Sequence, residues 1–93
     1  MRILCLNTWG GRLHDRLLPF LAGAGADILC LQEVVHSPAT GKDWLTYRDG
    51  DHVLPQRANL FADLRAALPD HDGWFCPAAQ GQLWDGEDPV ASA

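Results

Sequence analysis

Two short apolar runs most constrain how this chain can fold. Residues 3–6 and 28–31 are apolar at every position. Short runs of this kind are typical of strands that are buried on both faces of a parallel sheet. Residues 13–22 lie between them and carry large apolar side chains at helical spacing. A strand, a crossover helix and a second strand form a βαβ unit, whose right-handed connection makes the strands parallel. The chain is therefore predicted to have an α/β fold.

A polar side chain stands at the end of each predicted strand. Asn7 follows the first apolar run, and Gln32 and Glu33 follow the second. Ligands of open α/β sheets bind outside the carboxyl ends of the strands, where these side chains would lie. A carboxylate on a rigid element suits Mg²⁺, and a neutral amide beside it can hydrogen-bond a phosphate oxygen. Asn7 and Glu33 are therefore predicted to form half of a metal–phosphate site.

Both residues also have a plain structural interpretation. An asparagine at the end of a strand often caps a turn, because its side chain accepts a hydrogen bond from the backbone. A glutamate at the same place is often simply solvated. The spacing of Asn7 and Glu33 alone leaves the structural and the functional interpretation open.

The remaining elements are predicted from periodicity and from helix and strand breakers. Leu13, Leu17, Phe20, Leu21 and Ala24 would form one apolar stripe on the first helix, with Asp15 as a plausible N-cap. Residues 35–55 are polar and contain several prolines and glycines, which predicts a long loop. A second helix is expected over residues 56–68 and a third, short strand over residues 73–77. Residues 80–93 show no periodic apolar face and are predicted to be irregular.

Composition sets further bounds. The chain has 93 residues, enough for one small domain, and its formal net charge is −5. That charge argues against a module that adsorbs to nucleic acid through a basic face. Cys5, Cys30 and Cys76 lie in apolar runs without metal-ligand spacing, so they are expected to be buried as small hydrophobes in a reducing cytoplasm. Neither a signal peptide nor a membrane-spanning run is recognised.

Two linked motifs resemble a known family. LNTWG at residues 6–10 and ADILCLQEV at residues 26–34 are similar to the N-terminal signature of the endonuclease/exonuclease/phosphatase superfamily, the DNase I-like nucleases and phosphatases. The resemblance implies a two-sheet α/β sandwich that hydrolyses phosphoesters with Mg²⁺, or alternatively Mn²⁺. It assigns both Asn7 and Glu33 to the active site, with Glu33 as the ligand of the catalytic metal, Asn7 as a second metal ligand and Gln32 close by.

The chain also departs from the family pattern. The family's later D-x-N and S-D-H motifs are absent, since Asn59 has no aspartate two residues before it and Asp51-His52 stands too early. The four histidines are scattered, and none has a sequence partner that marks it as a general base. Residues 1–79 are therefore expected to be the N-terminal part of such a domain, followed by the irregular tail. Whether this chain is itself an enzyme is left open.

Two functions other than phosphoester hydrolysis can be compared with the sequence. A non-catalytic α/β module could associate with itself through an exposed sheet edge, because half a sandwich leaves an edge and an apolar face uncovered. A dinucleotide-binding unit is disfavoured, since the turn after the first strand lacks G-x-G-x-x-G. For the enzyme hypothesis the partner is a phosphoester, either nucleic acid or a small phosphate ester, and the sequence does not select between them.

Overall fold

The structure, a computed structural model, describes residues 1–77 and 81–93. None of the helices in these residues is long and apolar enough to cross a membrane. A one-turn 3-10 helix, Trp9–Gly11, follows the first strand. The strands and α-helices are, in order, β1 (Ile3–Asn7), α1 (His14–Gly23), β2 (Ile28–Gln32), β3 (Trp44–Asp49), β4 (His52–Arg57), α2 (Leu60–Ala67), β5 (Gly81–Asp85) and β6 (Asp88–Ser92).

The predicted βαβ unit is present, and the α/β class is confirmed. Strand β1 pairs with β2 in parallel, with Ile3 opposite Ile28 and Asn7 opposite Gln32. At the start of the pair, the Asp27 carboxylate accepts a hydrogen bond from the backbone N–H of Arg2 at 2.7 Å. The two strands are therefore aligned from their first residues, which brings their carboxyl ends to the same edge.

One face of the β1–β2 sheet is packed against both helices. The buried leucines on these helices are Leu17, Leu21, Leu60 and Leu64. The sheet contributes half-buried leucines to the same core, namely Leu4, Leu6, Leu29 and Leu31. Because side chains alternate along a strand, the leucines of β1 and β2 all point to this face.

The opposite face of the same sheet is exposed, so the prediction of strands buried on both faces is wrong. Ile3, Cys5, Ile28 and Cys30 are all exposed, because both helices cover the leucine face and none of the described elements covers the other. The prediction that the cysteines are buried is wrong for the same reason. Cys76 is exposed as well, in an irregular segment.

The predicted loop over residues 35–55 is instead largely a β-hairpin. Strands β3 and β4 pair antiparallel up to Asp49 opposite His52, and the two residues between them form the turn. Gly50 has a φ of 58°, a conformation that glycine adopts without steric cost. Pro55 lies inside β4, which is an edge strand, where a missing N–H can face solvent. Gly50 and Pro55 therefore belong to a turn and a sheet edge, whereas Pro38 and Gly41 lie in the irregular segment before β3, where the loop prediction holds.

Both helices begin at other residues than predicted. The second helix begins at Leu60, because residues 56–57 complete β4. The Asn59 side chain accepts a hydrogen bond from the backbone N–H of Ser37 rather than capping this helix. The first helix starts at His14, so Asp15 lies in its first turn and is not the N-cap.

The C-terminal part also differs from the expectation. Residues 73–77 form no strand, whereas β5 and β6 form a hairpin with Gly86 at a φ of 61° in its turn. The hairpin joins a second sheet of order β4-β3-β5-β6, through Thr46 opposite Trp84. The prediction of an irregular tail is therefore wrong for residues 81–93, and Gln80 lies outside the described residues.

The four-stranded sheet has its own buried cluster, formed by Val35, Leu45, Ala58 and Leu83.

Candidate functional site

The carboxyl ends of β1 and β2 lie side by side. Asn7 is the register partner of Gln32, and Glu33 is the next residue along the chain. All three are exposed. The structure therefore brings Asn7, Gln32 and Glu33, the residues predicted from the sequence, to one edge of the parallel sheet.

Thr8 connects these two strand ends. Its backbone N–H donates to the Gln32 carbonyl at 2.9 Å. Its hydroxyl group lies 2.8 Å from the same carbonyl and 3.0 Å from the Glu33 carbonyl. Thr8 is only 4% exposed, so water competes little for these contacts. The sequence analysis assigned no role to Thr8, although its position directly after Asn7 places it at the end of the same strand.

The turn after β1 uses the side chain of Asn7. The Asn7 Oδ1 atom accepts a hydrogen bond from the backbone N–H of Trp9 at 2.9 Å. The turn then passes through Gly10, whose N–H donates to the Glu33 carbonyl at 3.1 Å. Asn7 thus caps a turn, as its structural interpretation suggested. An amide held through its oxygen presents its NH₂ group as a donor, which suits a phosphate oxygen better than a cation.

Glu33 has an unusual backbone. Its φ is 57°, in the left-handed region that residues other than glycine rarely adopt. This conformation costs about 1–2 kcal/mol, and here the contacts from Thr8 and Gly10 to the Glu33 carbonyl hold it. Strained residues of this kind cluster at functional sites. The left-handed conformation bends the chain at Glu33, the residue whose carboxylate is the candidate metal ligand.

The strain at Glu33 predicts that Glu33→Gly stabilises the fold by about 0.5–1 kcal/mol, because glycine relieves the left-handed strain but loses more chain entropy on folding. Gln32→Gly is the control: Gln32 lies in a regular strand, and the change should destabilise by about 0.5–1 kcal/mol. Urea unfolding followed by tryptophan fluorescence measures both changes. A Glu33→Gly protein that is less stable than the wild type would contradict the strain.

The set of metal donors at this edge is small. Glu33 supplies one carboxylate, and no group of three or more His, Cys, Asp or Glu residues in the described part of the chain could hold a metal ion. An exposed carboxylate at a strand end fits Mg²⁺ as a single ligand, with waters in the remaining positions. The residues present therefore fit a weakly held divalent ion and do not form a closed cage.

A second polar cluster joins residues far apart in the sequence. His14 Nε2 lies 3.4 Å from Asp63 Oδ2, and Arg57 Nε lies 2.8 Å from the same oxygen. The Arg57 guanidinium makes the shorter contact and forms a hydrogen bond with this carboxylate. Sequence reasoning found no partner for His14, because only the packing of α1 against α2 brings it to Asp63. Asp51 and His52 lie exposed at the β3–β4 turn.

Comparisons with known proteins add no further information on this site. Neither the protein-family models, nor the curated proteins, nor the solved structures include a match to this chain. The features that bear on the chemistry of the strand ends are therefore the geometry of Asn7, Thr8 and Glu33 and the two sequence motifs that contain them.

Proposed function

We propose that this chain is the N-terminal part of a metal-dependent phosphoester hydrolase of the endonuclease/exonuclease/phosphatase type. The observation that supports this best is the side-by-side position of Asn7 and Glu33 at the ends of two parallel strands, which Thr8 ties together. Ligand sites of open α/β sheets lie at such an edge. The resemblance of the two motifs to this superfamily points to the same residues.

The two residues take different roles in this proposal. Glu33 is the carboxylate ligand of Mg²⁺, with Mn²⁺ as the alternative ion, and Asn7 donates its NH₂ group to a phosphate oxygen. The ion, when bound, stabilises the negative charge that develops on the phosphate. The assignment of Asn7 as a second metal ligand stays a prediction, less favoured because its oxygen accepts the hydrogen bond from Trp9.

The proposal includes a substrate class and a compartment. The substrate is a phosphoester, either nucleic acid or a small phosphate ester. The three unpaired cysteines support a reducing compartment such as the cytoplasm. Activation of water needs a general base. The two recognised motifs contain no histidine, and their carboxylates are Asp27, which accepts a hydrogen bond from the Arg2 backbone, and Glu33, the proposed metal ligand.

Titration with Mn²⁺, followed by electron paramagnetic resonance, tests the metal ligand. Binding to the wild-type chain is expected to be weak, and Glu33→Gln should lower the affinity about tenfold or more, because the only carboxylate of the site is removed. Glu87→Gln is the matched control, since it removes the same charge from the exposed β5–β6 turn and should leave the affinity unchanged. Equal affinities of Glu33→Gln and the wild type would refute the role of Glu33.

A specific observation also favours the second candidate, a non-catalytic module that associates with itself. Beside β2 lies an open groove of about 1210 Å³, lined in part by Ile28, Leu31, Trp74 and Phe75. Trp74 is 92% exposed, and exposed apolar surface next to an open strand favours association. Under this candidate, sedimentation velocity should show concentration-dependent dimers that Trp74→Ser weakens. A monomer at all concentrations would exclude it.

A further inference from the structure

Two cysteines face each other across the parallel strands. Cys5 on β1 and Cys30 on β2 are register partners, one directly opposite the other. Both are exposed, whereas the leucines before and after each of them are half-buried on the face that packs against the helices. The two thiols therefore project from the same open face of the sheet, at neighbouring positions.

The spacing of the strands suits a bridged pair of thiols better than a disulfide. Neighbouring strands lie about 4.8 Å apart. A disulfide requires the two Cβ atoms to approach to about 3.8 Å, which would pull the strands together. A tetrahedral ion with bonds of about 2.3 Å to sulfur holds two sulfur atoms about 3.8 Å apart, and rotation about χ1 on an exposed face allows this without moving the backbone.

The surroundings of the pair select for soft ions. The residues next to it on the same face are Ile3 and Ile28 on one side and Asn7 and Gln32 on the other. Neither strand contains a charged residue. Without a carboxylate among the neighbours, a hard cation finds only neutral amide oxygens here, whereas thiolates bind soft metals and metalloids.

We propose that Cys5 and Cys30 form a dithiol site for a thiophilic metal or metalloid ion, which lies next to the proposed phosphoester site but does not depend on its chemistry. A trivalent arsenical is a suitable probe. Phenylarsine oxide forms two sulfur–arsenic bonds with a dithiol, and its oxygen leaves as water with both thiol protons. No group is oxidised or reduced in this step, so it needs no further reactant.

The test is binding of phenylarsine oxide to the reduced chain in the presence of excess 2-mercaptoethanol, which competes for arsenic held by a single thiol. Native mass spectrometry should show one arsenical per chain. Cys5→Ser and Cys30→Ser should each lower the affinity about a hundred-fold, because each removes the intramolecular second bond. Cys76→Ser is the matched control and should bind like the wild type.

Two outcomes would overturn the proposal. Cys76 and Cys30 line the same groove, so loss of binding in Cys76→Ser with retention in Cys5→Ser would assign the dithiol to Cys30 and Cys76. Equal affinity of the folded chain and of the chain in concentrated urea would show that the strands do not preorganise the thiols. Far-UV circular dichroism of each serine variant establishes that it is folded, which is expected because all three cysteines are exposed.

Discussion

Replacing Gly11 by alanine is expected to destabilise the fold by about 2–4 kcal/mol, a large part of the stability of a small domain. Gly11 has a φ of 75°, which strains any other residue. A Cβ atom at Gly11 would also lie 2.7 Å from the Cβ of Arg57 and 3.2 Å from a methyl group of Leu60. The Arg57 Cβ is fixed to the backbone of β4, so the contact cannot be relieved by rotating a side chain.

Gly23→Ala is the matched control for this change. Gly23 is the last residue of α1, and a Cβ atom there meets nothing within 4 Å. This variant is expected to be more stable by about 0.4–1 kcal/mol, because alanine has less conformational entropy to lose. Urea unfolding of both variants measures the difference. A Gly11→Ala protein as stable as the wild type would show that the Trp9–Gly11 turn does not pack against β4 as described.

Leu21→Ala is expected to destabilise the fold by about 2–5 kcal/mol, the usual cost of a cavity in a packed core. Leu21 is 1% exposed and lies among the buried leucines of α1 and α2. Thermal unfolding followed by circular dichroism measures the loss as a lower Tm.

Phe20→Ala tests the same helix with the opposite expectation. The sequence predicts Phe20 and Leu21 on one apolar stripe, but Phe20 is 56% exposed. Its replacement should change the free energy of unfolding by less than about 1 kcal/mol, since little buried area is lost and alanine favours the helix. Equal losses in the two variants would contradict the position of α1 on the sheet.

The βαβ unit could be predicted because its signals are local. Two apolar runs of strand length flank a segment of helical period, and chirality leaves one way to connect them. The placement of Asn7 and Glu33 followed from the same argument, because parallel strands end at a common edge. The neighbouring positions of the Glu33 carboxylate and the Asn7 amide could therefore be predicted from the sequence.

The two hairpins could not be predicted from the same signals. Pro55 and Gly50 suggested a loop, and only pairing with β3 makes β4 an edge strand that accepts a proline. Residues 81–92 have little apolar surface of their own. They form strands because β5 pairs with β3 and because Leu83 is buried in the second hydrophobic cluster. The opposite holds for residues 73–77. Their apolar side chains predicted a strand, but this segment has no strand partner among the described residues and stays irregular.

The class of the fold, the parallel strands and the edge at which Asn7 and Glu33 meet could be predicted from the amino-acid sequence, because they follow from two strand-length apolar runs, the helical segment between them and the fixed hand of their connection. The three-dimensional structure was needed to show which face of the sheet is covered, since that depends on where both helices pack. It also placed Thr8 across the two strand ends, His14 beside Asp63, and Cys5 opposite Cys30 in the open. These pairings join distant parts of the chain, and the physical reason is that register and helix packing are set by contacts between elements.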